Sequence, residues 1–229
     1  HFERAHPRTR IRFSFAGSQH LALQLEQGAH ADLLAFADER WAGHLARLGL
    51  LAGAAEIFAH NRLVVIVPAA NPAGIGRLED LARAGVKTVV AAPAVPAGGY
   101  TREVLARLAR APGFPADYAR RVLANVVSEE ENVKAVVAKV QLGEADAGVV
   151  YASDAAGPAG RRLRVIPIPD ERNVVADYPI AVLRAARAPR AAAAFAVLVL
   201  GPEGRRVLAR HGLAPGTPPI GPATAGRSR

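Results

Sequence analysis

Apolar positions along this chain follow two rhythms that keep exchanging. Residues 10–18, "RIRFSFAGS", place Ile11, Phe13 and Phe15 on one face, and this period of two predicts a strand. From Ser18 the spacing lengthens. Leu21, Ala22 and Leu25 share a helical face, and Gly28 stands where a left-handed helix stop belongs. A short buried strand is expected over 31–38, after which Asp38 can cap the helix of "ERWAGHLARLGL". Further strands are predicted over 61–72, 86–93 and 120–128, and in "AGVVYASDA", "LRVIPIP" and "DYPIAVLRAA". Between them lie helical patterns. "LEDLARAG" stops at Gly85. "AVPAGGYTREVLARLAR" opens on a Pro/Gly turn. "ENVKAVVAKVQLG" aligns Val133, Val136, Val137 and Val140 and stops at Gly143. Two closing helices break at Gly201-Pro202, and a Pro/Gly/Ala-rich tail over 214–229 is expected to be flexible. This alternation predicts an α/β architecture with largely parallel sheets.

In such sheets ligands gather outside the carboxyl ends of strands, often at helix N-termini. Four junctions have that character: Ala16-Gly17-Ser18, Pro96-Ala97-Gly98-Gly99, Glu131-Asn132-Val133, and the turn carrying Tyr151. A helix start offers unpaired N–H groups and the positive end of the peptide dipole. Ser18 and Tyr151 add hydroxyl donors. Together these would form a cage of neutral donors suited to a compact oxyanion. Each signal also has an ordinary structural reading: a serine that only caps, a turn that only turns, a tyrosine that is only half-buried.

Composition narrows the chemistry. With 229 residues and 51% hydrophobic content the chain can bury a substantial core, as one large domain or two lobes. Cysteine is absent, so disulfides and thiolate metal sites are excluded. The histidines form no HExxH pairing, and neither G-x-S-x-G, GxxxxGK[ST] nor GxGxxG occurs. The net charge of +9 is spread as scattered arginines rather than a basic stripe with aromatics, which argues against nucleic acid as a partner. "SEEEN" at 128–132 reads as a solvated acidic turn favoured by the helix start behind it. The longest apolar run, "AAAAFAVLVLG", is too short to span a bilayer.

Four ordered motifs resemble the periplasmic molybdate-binding proteins of bacterial ABC importers, a type II periplasmic binding protein family. They are "FSFAGSQHLALQLEQGAHADLLAFAD" with Trp41 after it, "AAPAVPAGGYTREVL", "EENVKAVVAKVQLGEADAGVVYASDA" and "YPIAVL". The resemblance covers about residues 2–213. It implies a two-lobed α/β fold with discontinuous lobes: residues 1–67 and 181–213 in lobe one, 68–180 in lobe two, and 214–229 a tail. The hinge would lie near "LVVIVP" and "YPIAVL". It implies further that Ser18, Ala97, Val133 and Tyr151 hold the oxyanion, molybdate or tungstate, with no metal cofactor and no catalysis. A monomer exported to the periplasm or anchored outside the membrane would then present the closed lobes to a permease. The family's first strand, the start of its first helix and one ligand serine find no match here and are expected to precede His1. Their absence would leave neighbouring strands, residues 10–15 among them, with open edges.

Two other functions remain to be weighed on sequence alone. The same fold could serve as the oxyanion-sensing module of a cytoplasmic regulator, although no helix-turn-helix segment is visible. An enzyme on a similar scaffold would need a positioned base or nucleophile, and none is found.

Overall fold

The computed structural model describes residues 1–156 and 158–216. After a single turn, α1 (Phe2–Ala5), the chain runs without regular structure to α2 (Ser18–Glu26), β1 (Leu33–Ala35) and α3 (Glu39–Arg47). β2 (Glu56–Pro68) leads through a 3-10 turn (Leu78–Ala82) to β3 (Thr88–Ala91) and α4 (Pro96–Leu108). Then come α5 (Tyr118–Ala124), β4 (Val126–Glu130), α6 (Val133–Gln141), β5 (Ala147–Tyr151) and α7 (Ala152–Ala156). β6 (Leu163–Pro167), β7 (Val175–Val182), α8 (Pro189–Leu200), α9 (Pro202–Arg210) and β8 (Ala214–Pro215) complete the described chain.

β2 organises both lobes because it changes partners midway. Glu56 to Arg62 pair antiparallel with β7, which pairs in turn with β1. From Leu63 onward the partners are β5 on one side and β6 on the other. Beyond β5 lie β3 and β4, the parallel part of the sheet. The largely parallel sheet expected from the sequence is therefore not what forms: β2 runs against β5, β6 and β7 because it is the strand that crosses between lobes.

Each lobe has its own core. In lobe one, α2 and α3 cover one face of β1 and β7 through Ala22, Leu45, Leu34, Ala181 and Leu183. The other face packs Phe58 and Ile180 against Leu200 of α8. Lobe two is built around Val65, Val89, Val90, Val149 and Val150, with α4, α5 and α6 packed on them. The helix stops read from sequence are in place: Gly28 has φ +90° and Gly143 φ +73°.

Three local expectations are corrected. Residues 10–15 do not form a strand, and Phe13 and Phe15 are 65% and 82% exposed. Alternation alone cannot hold a strand without a neighbour to bond, and no strand of the described residues pairs with this segment. Residues 120–124 belong to α5 instead of a strand, because Tyr118 and Val122, one helical turn apart, are both fully buried. The tail expected from 214 begins with a strand: Ala214 and Pro215 pair with His60 and Ala59. The rest of it, 217–229, lies outside the described residues.

Candidate anion-binding site

Three of the four residues singled out in the sequence stand at helix starts and the fourth at a strand end. Ser18 is the first residue of α2 and is 6% exposed. Its Oγ accepts from the Ala37 N–H at 3.1 Å, so the hydroxyl hydrogen is left to donate elsewhere. Ala97 is the second residue of α4 and fully buried. Pro96 ahead of it has no N–H, so Ala97 supplies the first backbone donor of that helix. Val133 opens α6. Asn132 caps this helix by accepting from the Ala135 N–H at 3.0 Å, which leaves the Val133 N–H outside the capping bond.

Tyr151 ends β5, opposite Leu63 of β2. Its ring meets that of Tyr178 edge-on, with centroids 5.6 Å apart. Burial, with the neighbouring phenols and carboxyls adding to it, raises its pKa far above the ordinary value, so the O–H stays protonated as a donor. That hydroxyl is enclosed and makes no hydrogen bond of good geometry. Tyr178, the nearest phenol, already accepts from Asn61 Nδ2 at 3.1 Å. A buried donor without an acceptor is costly, and it marks where an acceptor would be welcome.

Three of the four positions share the core of lobe two, and the fourth is linked to it. Ala97 and Tyr151 belong to a single apolar cluster, and Ala37, Tyr100, Val133 and Tyr178 pack against it. Ser18 joins through its bond to Ala37. Gln19 Nε2 reaches the Glu131 carbonyl at 3.0 Å and ties the start of α2 to the loop before α6.

The surroundings are less uniformly positive than three helix ends suggest. Asp38 and Asp154 both act on the Tyr151 hydroxyl. Burial lifts the Asp38 carboxyl above its ordinary value, against the Trp41 N–H that it caps and the charge of Arg40. Burial also raises Asp154, partly offset by a backbone hydrogen bond at Tyr151 and by Lys134. Among the described residues no group of histidines and carboxylates could hold a metal ion. Residues 128–130, expected as a solvated acidic turn, instead end β4, and their carboxylates are spent structurally: Glu130 pairs with Lys139 at 2.6 Å, and Glu129 with Arg102.

Sequence reasoning missed several of these residues. Asp38 was legible only as a cap. Asn61 and Tyr178 gave no signal, because each acquires its role from strands that are distant along the chain, and Asp154 was not singled out although it follows Tyr151 by three residues.

The molybdate-binding protein ModA of Mycobacterium tuberculosis is 39% identical over 213 residues, 93% of this chain and 77% of that protein. The Azotobacter vinelandii periplasmic molybdate-binding protein superposes with a TM-score of 0.78 at 19% identity, covering 94% of this chain and 91% of that one. The sulfate-binding protein SubI of M. tuberculosis gives 0.76, also at 19%, over 90% of this chain and 75% of its own. These structural likenesses show the fold and do not separate one oxyanion from another. The sequence model of the bacterial extracellular solute-binding proteins matches residues 1–214, and the chain belongs to that family.

Proposed function

We propose that this protein captures molybdate or tungstate between its lobes and delivers it to the permease of an ABC importer, without chemistry on the ligand. The observation that carries the reading is the enclosed Tyr151 hydroxyl, which makes no hydrogen bond of good geometry, in a core that also holds Ala97 and against which Val133 packs. Ser18, Ala97, Val133 and Tyr151 are the proposed ligand donors. The 39% identity to a protein named for molybdate binding supports the choice of ligand. Work outside the cytoplasm, in the periplasm or as an extracellular membrane-anchored protein, follows the family's extracellular description. We assign residues 1–62 and 175–213 to lobe one and 63–174 to lobe two, and take the chain to act as a monomer. These boundaries are displaced by a few residues from those expected at 67/68 and 180/181, because residues 63–68 pair with β5 and β6 and residues 175–180 with β1 and the first half of β2. The change of partners within β2 supports a crossing in that strand. The similarity to transport components disfavours the reading as a cytoplasmic sensing module.

Selectivity would come from size and protonation. Sulfate is smaller and cannot meet all the fixed donors at good length. Phosphate near neutral pH brings a proton into a cage arranged to donate. Calorimetric titration with molybdate, tungstate, sulfate and phosphate tests this reading, which fails if sulfate binds as tightly as molybdate. In the same assay Tyr151→Phe is expected to lose about 1.5–3 kcal/mol of binding, the range for a hydrogen bond to a charged partner, with little change in folding. Unchanged affinity would remove Tyr151 from the ligand set.

Asp154 supplies a second expectation, this time a gain. A carboxylate this close to Tyr151 repels a dianion, so Asp154→Asn is expected to tighten molybdate binding by about threefold or more at low salt. Because its pKa is raised in the folded chain, its stabilising contribution is full below the ordinary value of 3.8 and is lost as pH rises through the raised value. The variant should therefore be at least as stable as the parent at pH 7, with the gap closing as pH falls. Urea denaturation across that range checks the sign, and weaker molybdate binding by the variant would refute the repulsion.

A further inference from the structure

Lobe one reaches across the cleft at each of the two places where lobe two supplies an amide donor. Arg40 Nη2 and Trp41 Nε1 both donate to the Ala94 carbonyl, at 2.5 and 3.2 Å. Ala94 lies three residues before Ala97, in the turn that starts α4. Gln19 Nε2 donates to the Glu131 carbonyl at 3.0 Å, two residues before Val133. The acceptors are main-chain carbonyls on the approaches to the two helices. The donors sit in the first turns of α2 and α3.

Both donor groups are held in place. Asp38 caps α3 at the Trp41 N–H (3.2 Å) and lies 3.6 Å from Arg40 Nε, while the Arg40 guanidinium rests 4.9 Å from the centre of the Trp41 ring. Gln19 folds back over Gly17. A Cβ at Gly17 would fall 2.5 Å from both Gln19 Nε2 and Oε1. Gly17 has φ −59°, which any residue can adopt, so a side chain there would meet only the Gln19 amide and displace it from the Glu131 carbonyl. Gln19 Oε1 is enclosed without a partner, an unfavourable placement that the Nε2 bond helps to offset.

We propose that Gln19, Arg40 and Trp41 are positioning residues: a clasp that couples lobe closure to the aim of the Ala97 and Val133 amides and so governs retention of the anion. The proposal rests on the ligand reading given above. The clasp acts through the two loops and need not touch the ligand. Hydrogen bonds spanning the cleft cannot survive separation of the lobes about a hinge. Losing them therefore speeds opening and release, and leaves the encounter of the anion with the open cleft unchanged.

The chain has no cysteine among its residues, so introduced cysteines are unique labelling sites. Two readouts on the full chain test the clasp. In the first, protein loaded with molybdate is chased with excess tungstate and the retained molybdenum is measured. Trp41→Phe keeps an aromatic side chain and removes the N–H together with the pyrrole ring; Arg40→Met and Gln19→Leu remove the other donors. Each is expected to release molybdate about 3- to 10-fold faster, the effect of one net hydrogen bond, with the association rate changed less than about twofold. In the second, spin labels on Arg47→Cys and Glu144→Cys, exposed positions on α3 and after α6, report the inter-lobe distance without added ligand. The triple variant is expected to shift that distribution toward longer distances at an unchanged melting temperature. Parental release rates together with parental distances overturn the clasp while leaving the ligand site standing. Altered distances in a chain whose parent takes up no molybdate support the clasp and overturn the ligand reading. A triple variant that melts early is replaced by Trp41→Phe alone, for which release and distance decide in the same way.

Discussion

Gly98→Ala is expected to cripple anion binding, whereas Gly99→Ala, one residue on, is expected to be harmless. A Cβ at Gly98 would lie 2.0 Å from the Ala92 carbonyl oxygen and 2.4 Å from that of Ala91. Both are backbone atoms at the end of β3, and neither can yield. Val89, Val90 and Ala91 are fully buried, and β3 is bonded to β4 on one side and β5 on the other. The start of α4 must move instead, carrying the Ala97 N–H away from its aim. Overpacking of this kind costs about 1–3 kcal/mol of stability, and a misdirected donor to a charged ligand about 1.5–3 kcal/mol of binding. At Gly99 an added Cβ meets nothing nearer than the Pro93 carbonyl oxygen at 3.8 Å, an ordinary contact. Alanine there gains up to about 1 kcal/mol of helix propensity. Melting temperature and molybdate titration of the two variants side by side provide the check. Equal behaviour of the pair would show that the approach of α4 to β3 does not constrain the site.

Asn173→Leu is expected to be the most destabilising single change near the lobe crossing. Asn173 is 5% exposed and uses its whole amide. Oδ1 accepts from the Leu63 N–H at 3.1 Å and the Val174 N–H at 2.8 Å. Nδ2 donates to the Leu63 carbonyl at 2.9 Å and to the Ile168 carbonyl at 3.3 Å. Leu63 is the residue at which β2 exchanges β7 for β5, and the asparagine bonds both of its main-chain groups there, as a neighbouring strand would. Leucine has similar bulk and none of the bonds. Buried backbone groups left unpaired cost about 1–3 kcal/mol each, so a total loss of about 3 kcal/mol or more is expected. For a chain of this size that lowers Tm by about 6–12 °C. Asn173→Asp, which keeps the acceptor and loses the donor, should fall between. A parental urea midpoint for the leucine variant would show that the crossing does not depend on this side chain.

Much of the architecture is written locally. α2, α3 and α6 follow from apolar residues at helical spacing, and their ends from Asp38, Asn132, Gly28 and Gly143, because caps and stops act within a few residues of themselves. For the same reason the helix starts carrying Ser18, Ala97 and Val133, and the strand end carrying Tyr151, could be located before any contact was known. Pairing could not be read in this way. The alternation at 10–15 looks like a strand and is not one, since an edge must be offered by another part of the chain. Residues 120–124 hold too short an apolar run for its period to be decided, until burial of Tyr118 and Val122 decides it. The direction of the sheet and the exchange of partners at Leu63 depend on distant segments, and the bonds of Gln19 to Glu131, of Arg40 and Trp41 to Ala94, and of Asn173 to Leu63 join residues 53 to 112 positions apart. A sequence names the donors and acceptors available for such bonds. Which of them meet depends on how two separately packed lobes come to rest against each other, and only the assembled tertiary structure determines that.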